Sequence, residues 1–139
     1  MLQVNYDSFE APAKAKKGDA AYDIKAIMAA SIPPGGRALI RSGLRVAIPD
    51  GYVGMVCSRS GLALKHGVCV LNAPGIIDPG YRGDVGVILC NTSDQYFDVR
   101  PGDRIAQLMF VQVEHPDFKF TQLSDDTPRG TSGFGSSGR

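Results

Sequence analysis

IAQLMFVQVE, Ile105–Glu114, is the stretch on which the fold class turns. Laid out as a strand, it puts Ala106, Leu108 and Phe110 on one face and Ile105, Gln107 and Met109 on the other. Side chains alternate across a strand, so both faces are largely apolar. A strand of that kind belongs in the middle of a layered core, covered on both sides. The turn signal RPGD, Arg100–Asp103, stands directly before it.

Working outward from this strand, the same punctuation recurs. PPGG (33–36), PDG (49–51), APG (73–75) and DPG (78–80) separate short apolar runs. Those runs are RALIRS, LRVAIP, YVGMVC, VCVLN, the segment Gly83–Asn91, and QYFDVR. In LRVAIP, Leu44, Val46 and Ile48 share a face. Short strands between Gly/Pro turns are the mark of an all-β sandwich, jelly roll or barrel. The chain's 17 glycines and 9 prolines supply those turns. GLALKHG (61–67) is the one helical turn expected. The strand pattern stops near Asp125, dividing the chain into a β domain, 1–125, and a Gly/Ser-rich arm, 126–139.

With 139 residues and 43% hydrophobic content, the chain is one domain with enough apolar side chains for a core. A net charge of +1 argues against general affinity for nucleic acid or membrane surfaces. MLQVNYDSFEAPAKAKKGD, at the start, has no apolar segment of the secretory kind, and no run approaches a membrane span. A cytoplasmic location is therefore expected. Cys57, Cys69 and Cys90 lack metal-site spacing and sit in apolar runs, so buried reduced thiols are expected.

Three stretches exceed what a β fold needs. SRSGLA (58–63) combines a guanidinium, two hydroxyls and a glycine before a helix start, a plausible phosphate nest. Its bland alternative is a helix cap with a surface arginine. NAPGIIDPGYRGD (72–84) places Asp78 behind the apolar pair Ile76–Ile77 and just before Tyr81 and Arg82. A carboxylate half-buried in such company is the setting of a general base that activates water. RGTSGFGSSGR (129–139) is, by composition, a floppy end with one isolated aromatic, Phe134.

Taken together, these stretches resemble the trimeric dUTP pyrophosphatases (dUTPases). The five ordered motifs of that family correspond to DAAYDIKA (19–26), SRSGLA, NAPGIIDPGYRGDVG (72–86), PGDRIAQL (101–108) and RGTSGFGSSG (129–138). The resemblance implies a distorted jelly-roll β fold, a homotrimer whose active sites are shared between chains, and hydrolysis of dUTP to dUMP and pyrophosphate. Such a reaction lowers dUTP and supplies dUMP for thymidylate synthesis.

It further implies a role for each matched residue. Asp78 would be the catalytic base, acting on water that attacks the α-phosphorus in line. Tyr81 would pack beneath the deoxyribose and exclude a 2′-OH by clash. Asn72 and the backbone of Ile76 and Ile77 would read the uracil edge. Arg59, Ser60, Gly61 and Gln107 would hold phosphates. The implied metal is Mg²⁺, carried mainly by triphosphate oxygens and waters, with Asp23 acting on it through water. In the arm, Phe134 would stack on uracil, while Arg129, Gly135 and Ser136 would close over the γ-phosphate.

Ala21, Ser58 and Ser132 depart from the family's usual Gly, Pro and Gly; none of the three removes a charge or a nucleophile. Two rival readings stand beside this one. A dCTP deaminase of the same fold would need a glutamate near the base, yet VCVLNAPGII, just before Asp78, carries no acid. A non-catalytic nucleotide-binding regulatory trimer would not need the full set of turnover residues.

Overall fold

A computed structural model describes residues 1–138; Arg139, the end of the arm, lies outside the described residues. Eleven strands and one short helix follow in chain order. They are β1 (Asn5–Asp7), β2 (Tyr22–Lys25), β3 (Ala30–Ile32), β4 (Arg37–Ile40), β5 (Arg45–Ala47), β6 (Tyr52–Cys57), α1 (Ser60–His66), β7 (Val68–Val70), β8 (Gly75–Ile77), β9 (Val87–Asn91), β10 (Phe97–Val99) and β11 (Arg104–Gln112). The all-β expectation holds.

The strands form a four-stranded sheet, β2-β11-β6-β8, a three-stranded sheet, β4-β9-β7, and the two-stranded ribbons β1-β5 and β10-β3. Every pairing is antiparallel. The inward rows of the two larger sheets meet in one apolar cluster. Ile24, Val56, Ala106 and Leu108 come from one sheet; Ile40, Val68, Val70, Val87 and Leu89 come from the other. This is the jelly-roll-like layering that alternating short strands call for.

Strand β11 lies inside its sheet, between β2 and β6, as its two apolar faces require. Its register against β2 shifts between Arg104 and Ala106, and Ile105 and Ala106 are both buried in consequence. The expectation that the whole strand is sandwiched is corrected at its far end. Met109 and Phe110 are half-buried, and Val111 and Gln112 are exposed. Beyond Gln112 the chain runs as irregular structure in which Phe118, Phe120 and Leu123 face solvent. In LRVAIP the shared face is as read: Leu44, Val46 and Ile48 are all buried.

Helix α1 begins one residue before the expected turn and ends at Gly67. That residue takes the left-handed conformation (φ 63°) and donates its N–H to Ala63 and Leu62. The three cysteines are free but half-buried rather than buried. Each stands on the alternate, outward row of its strand, so its neighbours, not the thiol, fill the core. Among the described residues no helix is long and apolar enough to cross a membrane.

Candidate active site

The segment leaving β7 crosses over as a hairpin, returns as β8 and turns at Asp78. Strand β8 pairs with β6 through Gly75↔Val56, Ile76↔Met55 and Ile77↔Gly54, and it is the last strand of its sheet. Its outer edge therefore carries backbone N–H and C=O groups with no strand partner. Asn72 lies against this edge. A Cβ on Gly75 would come within 3.3 Å of both the Asn72 amide nitrogen and Val56 Cβ, so glycine is what lets the hairpin close.

Asp78, Pro79, Gly80 and Tyr81 form a turn closed by the Tyr81 N–H on the Asp78 carbonyl, 3.1 Å. The Tyr81 ring then folds back over Gly83. A Cβ there would sit 2.4 Å from the tyrosine oxygen and 2.6 Å from its ring carbon Cζ. The Tyr81 hydroxyl donates to the Asp84 carbonyl at 2.8 Å, which fixes the ring at its far end. Asp84 in turn is held by the loop 41–43. Its carboxylate accepts hydrogen bonds from Arg41 Nε, the Ser42 N–H and hydroxyl, and the Gly43 N–H. The sequence reading quoted Asp84 and Gly83 without giving them a role. Their signal was the sequence Tyr-Arg-Gly-Asp itself, a ring followed two residues later by the one residue that leaves it room.

These pieces enclose a cleft of about 290 Å³ lined by Asn72, Ile76, Ile77, Asp78 and Tyr81, with Val56, Leu39 and Ile88 on its apolar side. Five of the expected site residues thus share one cleft. One expectation is corrected here: Asp78 is exposed in the single chain, not half-buried. The two isoleucines meant to shield it point elsewhere. Ile77 packs on the core and Ile76 faces solvent.

A second group assembles where β2, β11 and the start of α1 meet. Gln107 sits opposite Asp23 on one side and Cys57 on the other. The Gln107 side-chain amide donates to the Ser58 carbonyl at 2.8 Å, tying the central strand to SRSG. The polar partner this half-buried glutamine needs is therefore a backbone group of its own chain. Arg59, the residue before α1, donates to the Arg104 carbonyl at 2.7 Å and pairs with Asp23 at 3.6 Å. Arg104 reaches the other oxygen of Asp23 at 3.5 Å. Asp23 is thus a mostly buried carboxylate between two guanidiniums. Arg104 was missed as its partner, although it stands inside the quoted PGDRIAQL. Ser60 and Gly61 open the helix and are exposed.

Ser58, where the family pattern has proline, carries a hydroxyl that accepts the Val70 N–H at 2.8 Å. This bond fastens the SRSG loop to β7, which leads into the β8 hairpin.

A third group, in the arm, touches neither of the others. Arg129 Nε donates to the Ser132 carbonyl and the Ser136 N–H to the Gly133 carbonyl, both at 3.1 Å. Phe134 is fully exposed, with φ 52°, and Gly135 beside it has φ 83°. The expected site residues therefore fall into three places on one chain: β8 cleft, cationic group and arm.

Comparison with known proteins covers nearly the whole of this chain. The dUTPase family model matches residues 7–138. The chain belongs to the dUTPase family. Among curated relatives of this dUTPase, the deoxyuridine 5′-triphosphate nucleotidohydrolase of Tropheryma whipplei is 42% identical over 139 residues, covering 99% of this chain and 95% of the relative. That of Picosynechococcus sp. is 50% identical over 122 residues, covering 88% and 86%. Among solved structures, the Staphylococcus bacteriophage 80alpha dUTPase with dUPNHPP superposes with a TM-score of 0.89 at 28% identity, covering 99% of both chains. A mutant dUTPase from phage phi11 of S. aureus, whose structure details the coordination of a structural Mg(II) ion, superposes at 0.79 with 27% identity, covering 91% and 99%.

Proposed function

We propose that this dUTPase-family enzyme hydrolyses dUTP to dUMP and pyrophosphate, with the base and sugar bound in the β8 cleft and Asp78 as general base. The observation that carries the reading is the gathering of Asn72, Ile76, Ile77, Asp78 and Tyr81 around one cleft of about 290 Å³. Unpaired backbone groups on an edge strand read a base by the pattern of donors and acceptors, and uracil and cytosine present opposite patterns. Asn72 adds an amide that supplies both kinds of group. The Tyr81 ring, held by Asp84, forms the floor under the deoxyribose. A fixed floor rejects a 2′-OH because the ring cannot withdraw.

At the α-phosphorus, the Asp78 carboxylate accepts a proton from water as its oxygen attacks in line, and pyrophosphate leaves on the opposite side. A well-placed base of this kind contributes about 10²–10⁴-fold in rate. The exposure of Asp78 in the lone chain fits a base that acquires its surroundings from substrate and neighbouring chains. Arg59, Ser60, Gly61 and Gln107 serve the phosphates. Arg59 has N–H donors to spare beyond its two internal partners. Arg129, Phe134, Gly135 and Ser136 close over the nucleotide as a lid, with Phe134 stacking on uracil.

The donor set bears on the implied metal. Among the described residues no group of three or more His, Cys, Asp or Glu side chains could hold an ion. Asp23 has both oxygens facing arginines, so it suits a water bound to Mg²⁺ rather than the ion itself. That is how Mg²⁺ is commonly held, by substrate phosphates and retained water. Bound there, Mg²⁺ would neutralise charge on the phosphate oxygens and orient them. Asp23 would anchor its water, and the two arginines would fix the Asp23 carboxylate.

The placement of cleft, cationic group and arm on different parts of one chain supports a homotrimer in which different chains complete each site. Leu64 and Val111, both exposed, supply apolar surface for such contacts. Pyrophosphate release from dUTP, with and without Mg²⁺, tests the reading. Rapid release dependent on Mg²⁺ is expected. Ammonia release from dCTP would assign the chain to deamination instead. Binding of dUTP without product at micromolar enzyme would make it a regulatory binding trimer.

A further inference from the structure

Cys69 and Cys90 face each other across adjacent strands of the three-stranded sheet, with their sulfur atoms 3.1 Å apart. This is closer than unbonded sulfurs usually stand, and either thiol can donate to the other. Both point away from the core. Val68, Val70, Leu89 and Asn91, on the alternate positions, are buried, while the two cysteines are half-exposed on the outer face.

The ladder shows what kind of pair they are. The Leu71 N–H bonds the Ile88 carbonyl and the Thr92 N–H bonds the Gly67 carbonyl, so narrow hydrogen-bonded pairs fall at 67/92 and 71/88. Alternation makes 69/90 a pair of the same type, with Cα atoms about 5.5 Å apart. That lies inside the range of about 4.4–6.8 Å that a disulfide spans. On the far side of β9, Arg37 pairs with Cys90, so its guanidinium shares the outer face with the two sulfurs. The hydrogen bond with Cys90, with burial adding to it, raises the Cys69 thiol above its ordinary value.

We infer that Cys69 and Cys90 form a reversible disulfide under peroxide, a modification site that clamps the base of the loop between them. That loop spans 21 positions and contains Asn72, Ile76, Ile77, Asp78 and Tyr81. In the first step the thiolate of one cysteine of the pair attacks a peroxide oxygen; the O–O bond breaks and hydroxide leaves, giving a sulfenic acid. The sulfur of the other cysteine then attacks the sulfenic sulfur, the S–O bond breaks, and water leaves with the second thiol's proton. In sum, two thiols are oxidised by two electrons and one peroxide is reduced to two waters. Cys57 has no such partner. Its thiol contact is with the Met55 carbonyl at 3.9 Å.

The test uses the full chain, assembled as it is in solution, exposed to hydrogen peroxide and then digested without reductant. Intact mass should fall by two hydrogens, peptides carrying Cys69 and Cys90 should appear linked, and a dithiol reductant should restore both. Cys57→Ser should keep the crosslink, and Cys69→Ser and Cys90→Ser should each lose it. Amide exchange over residues 71–81 should slow in the oxidised protein. Oxygen added to single cysteines without a linked peptide, or a link through Cys57, would overturn the assignment. Unchanged exchange over 71–81 would overturn the clamp. None of these readouts depends on turnover, so they stand apart from the proposed hydrolysis.

Discussion

The β8 hairpin and the C-terminal arm carry comparable numbers of motif residues but are built on opposite principles. In the hairpin, two functional side chains, Asn72 and Tyr81, are held by something else. Gly75 admits Asn72, Gly83 admits the Tyr81 ring, and the Asp84 carbonyl holds the tyrosine hydroxyl. In the arm, the hydrogen bonds of residues 124–138 stay within the segment and Phe134 stands free in solvent. A pocket that must tell one base from another needs its donors fixed before the ligand arrives. A lid that must admit substrate and release pyrophosphate needs the reverse. The contrast favours the proposal that the hairpin discriminates and the arm closes.

The largest effect should come from Asp78→Asn. Turnover of dUTP should drop by about 10²–10⁴-fold. The melting temperature should not change, because Asp78 is exposed and its carboxylate holds no other element in place. Steady-state pyrophosphate release beside thermal melting checks both halves. A marked fall in stability would mean the hairpin needs this side chain for its shape.

Next, the arm. Truncation after Pro128 should leave the β core folded with strongly reduced turnover. Phe134→Ala should remove about 1–3 kcal/mol of stacking, a loss of about 5- to 150-fold in kcat/KM. Circular dichroism should be unaltered in both. Normal hydrolysis by the truncated protein would end the lid assignment.

Gly83→Ala probes the fixed floor. The new methyl group must push the Tyr81 ring aside, since the two would otherwise stand 2.4 Å apart. Preference for dUTP over UTP should then fall by about tenfold or more, the scale of a methylene-sized misfit in a shaped pocket. The ratio of kcat/KM for the two nucleotides reports it. An unchanged ratio would show that Tyr81 does not set sugar choice.

The smallest effect is structural. Ser58→Ala removes the hydroxyl that accepts the Val70 N–H and should cost about 1 kcal/mol, read as a lowered denaturation midpoint in urea. Nucleotide affinity should move little. A large change in affinity would mean that this link transmits strain from the phosphate loop to the hairpin.

Much of this was legible in the chain. The strands over 37–40, 45–47, 52–57, 68–70, 87–91 and 97–99 fall within the apolar runs read between Gly/Pro turns, and β11 begins one residue before its run, at Arg104. Strands β1, β2, β3 and β8 were not seen as strands. Each is three or four residues long, too short for alternation to register, and each exists because a partner strand receives its hydrogen bonds. The site residues were legible as motifs, since turn and ring chemistry is written in neighbouring positions. Their surroundings were not. Asp78 was expected behind two isoleucines, but β8 alternates, so Ile77 turns to the core and Ile76 away from it. Gln107 was expected to reach substrate, and its nearest acceptor proved to be a carbonyl 49 positions away in sequence.

By itself, then, the sequence determined the all-β class, the turns, and which side chains can do chemistry. Those depend on alternation and on local backbone preference. Only the tertiary structure decided that Asp23 lies between Arg59 and Arg104, that Gln107 meets the Ser58 carbonyl, and that Cys69 meets Cys90. Such contacts depend on strand register. Register is set by how apolar rows from distant segments pack together, a property no short stretch contains.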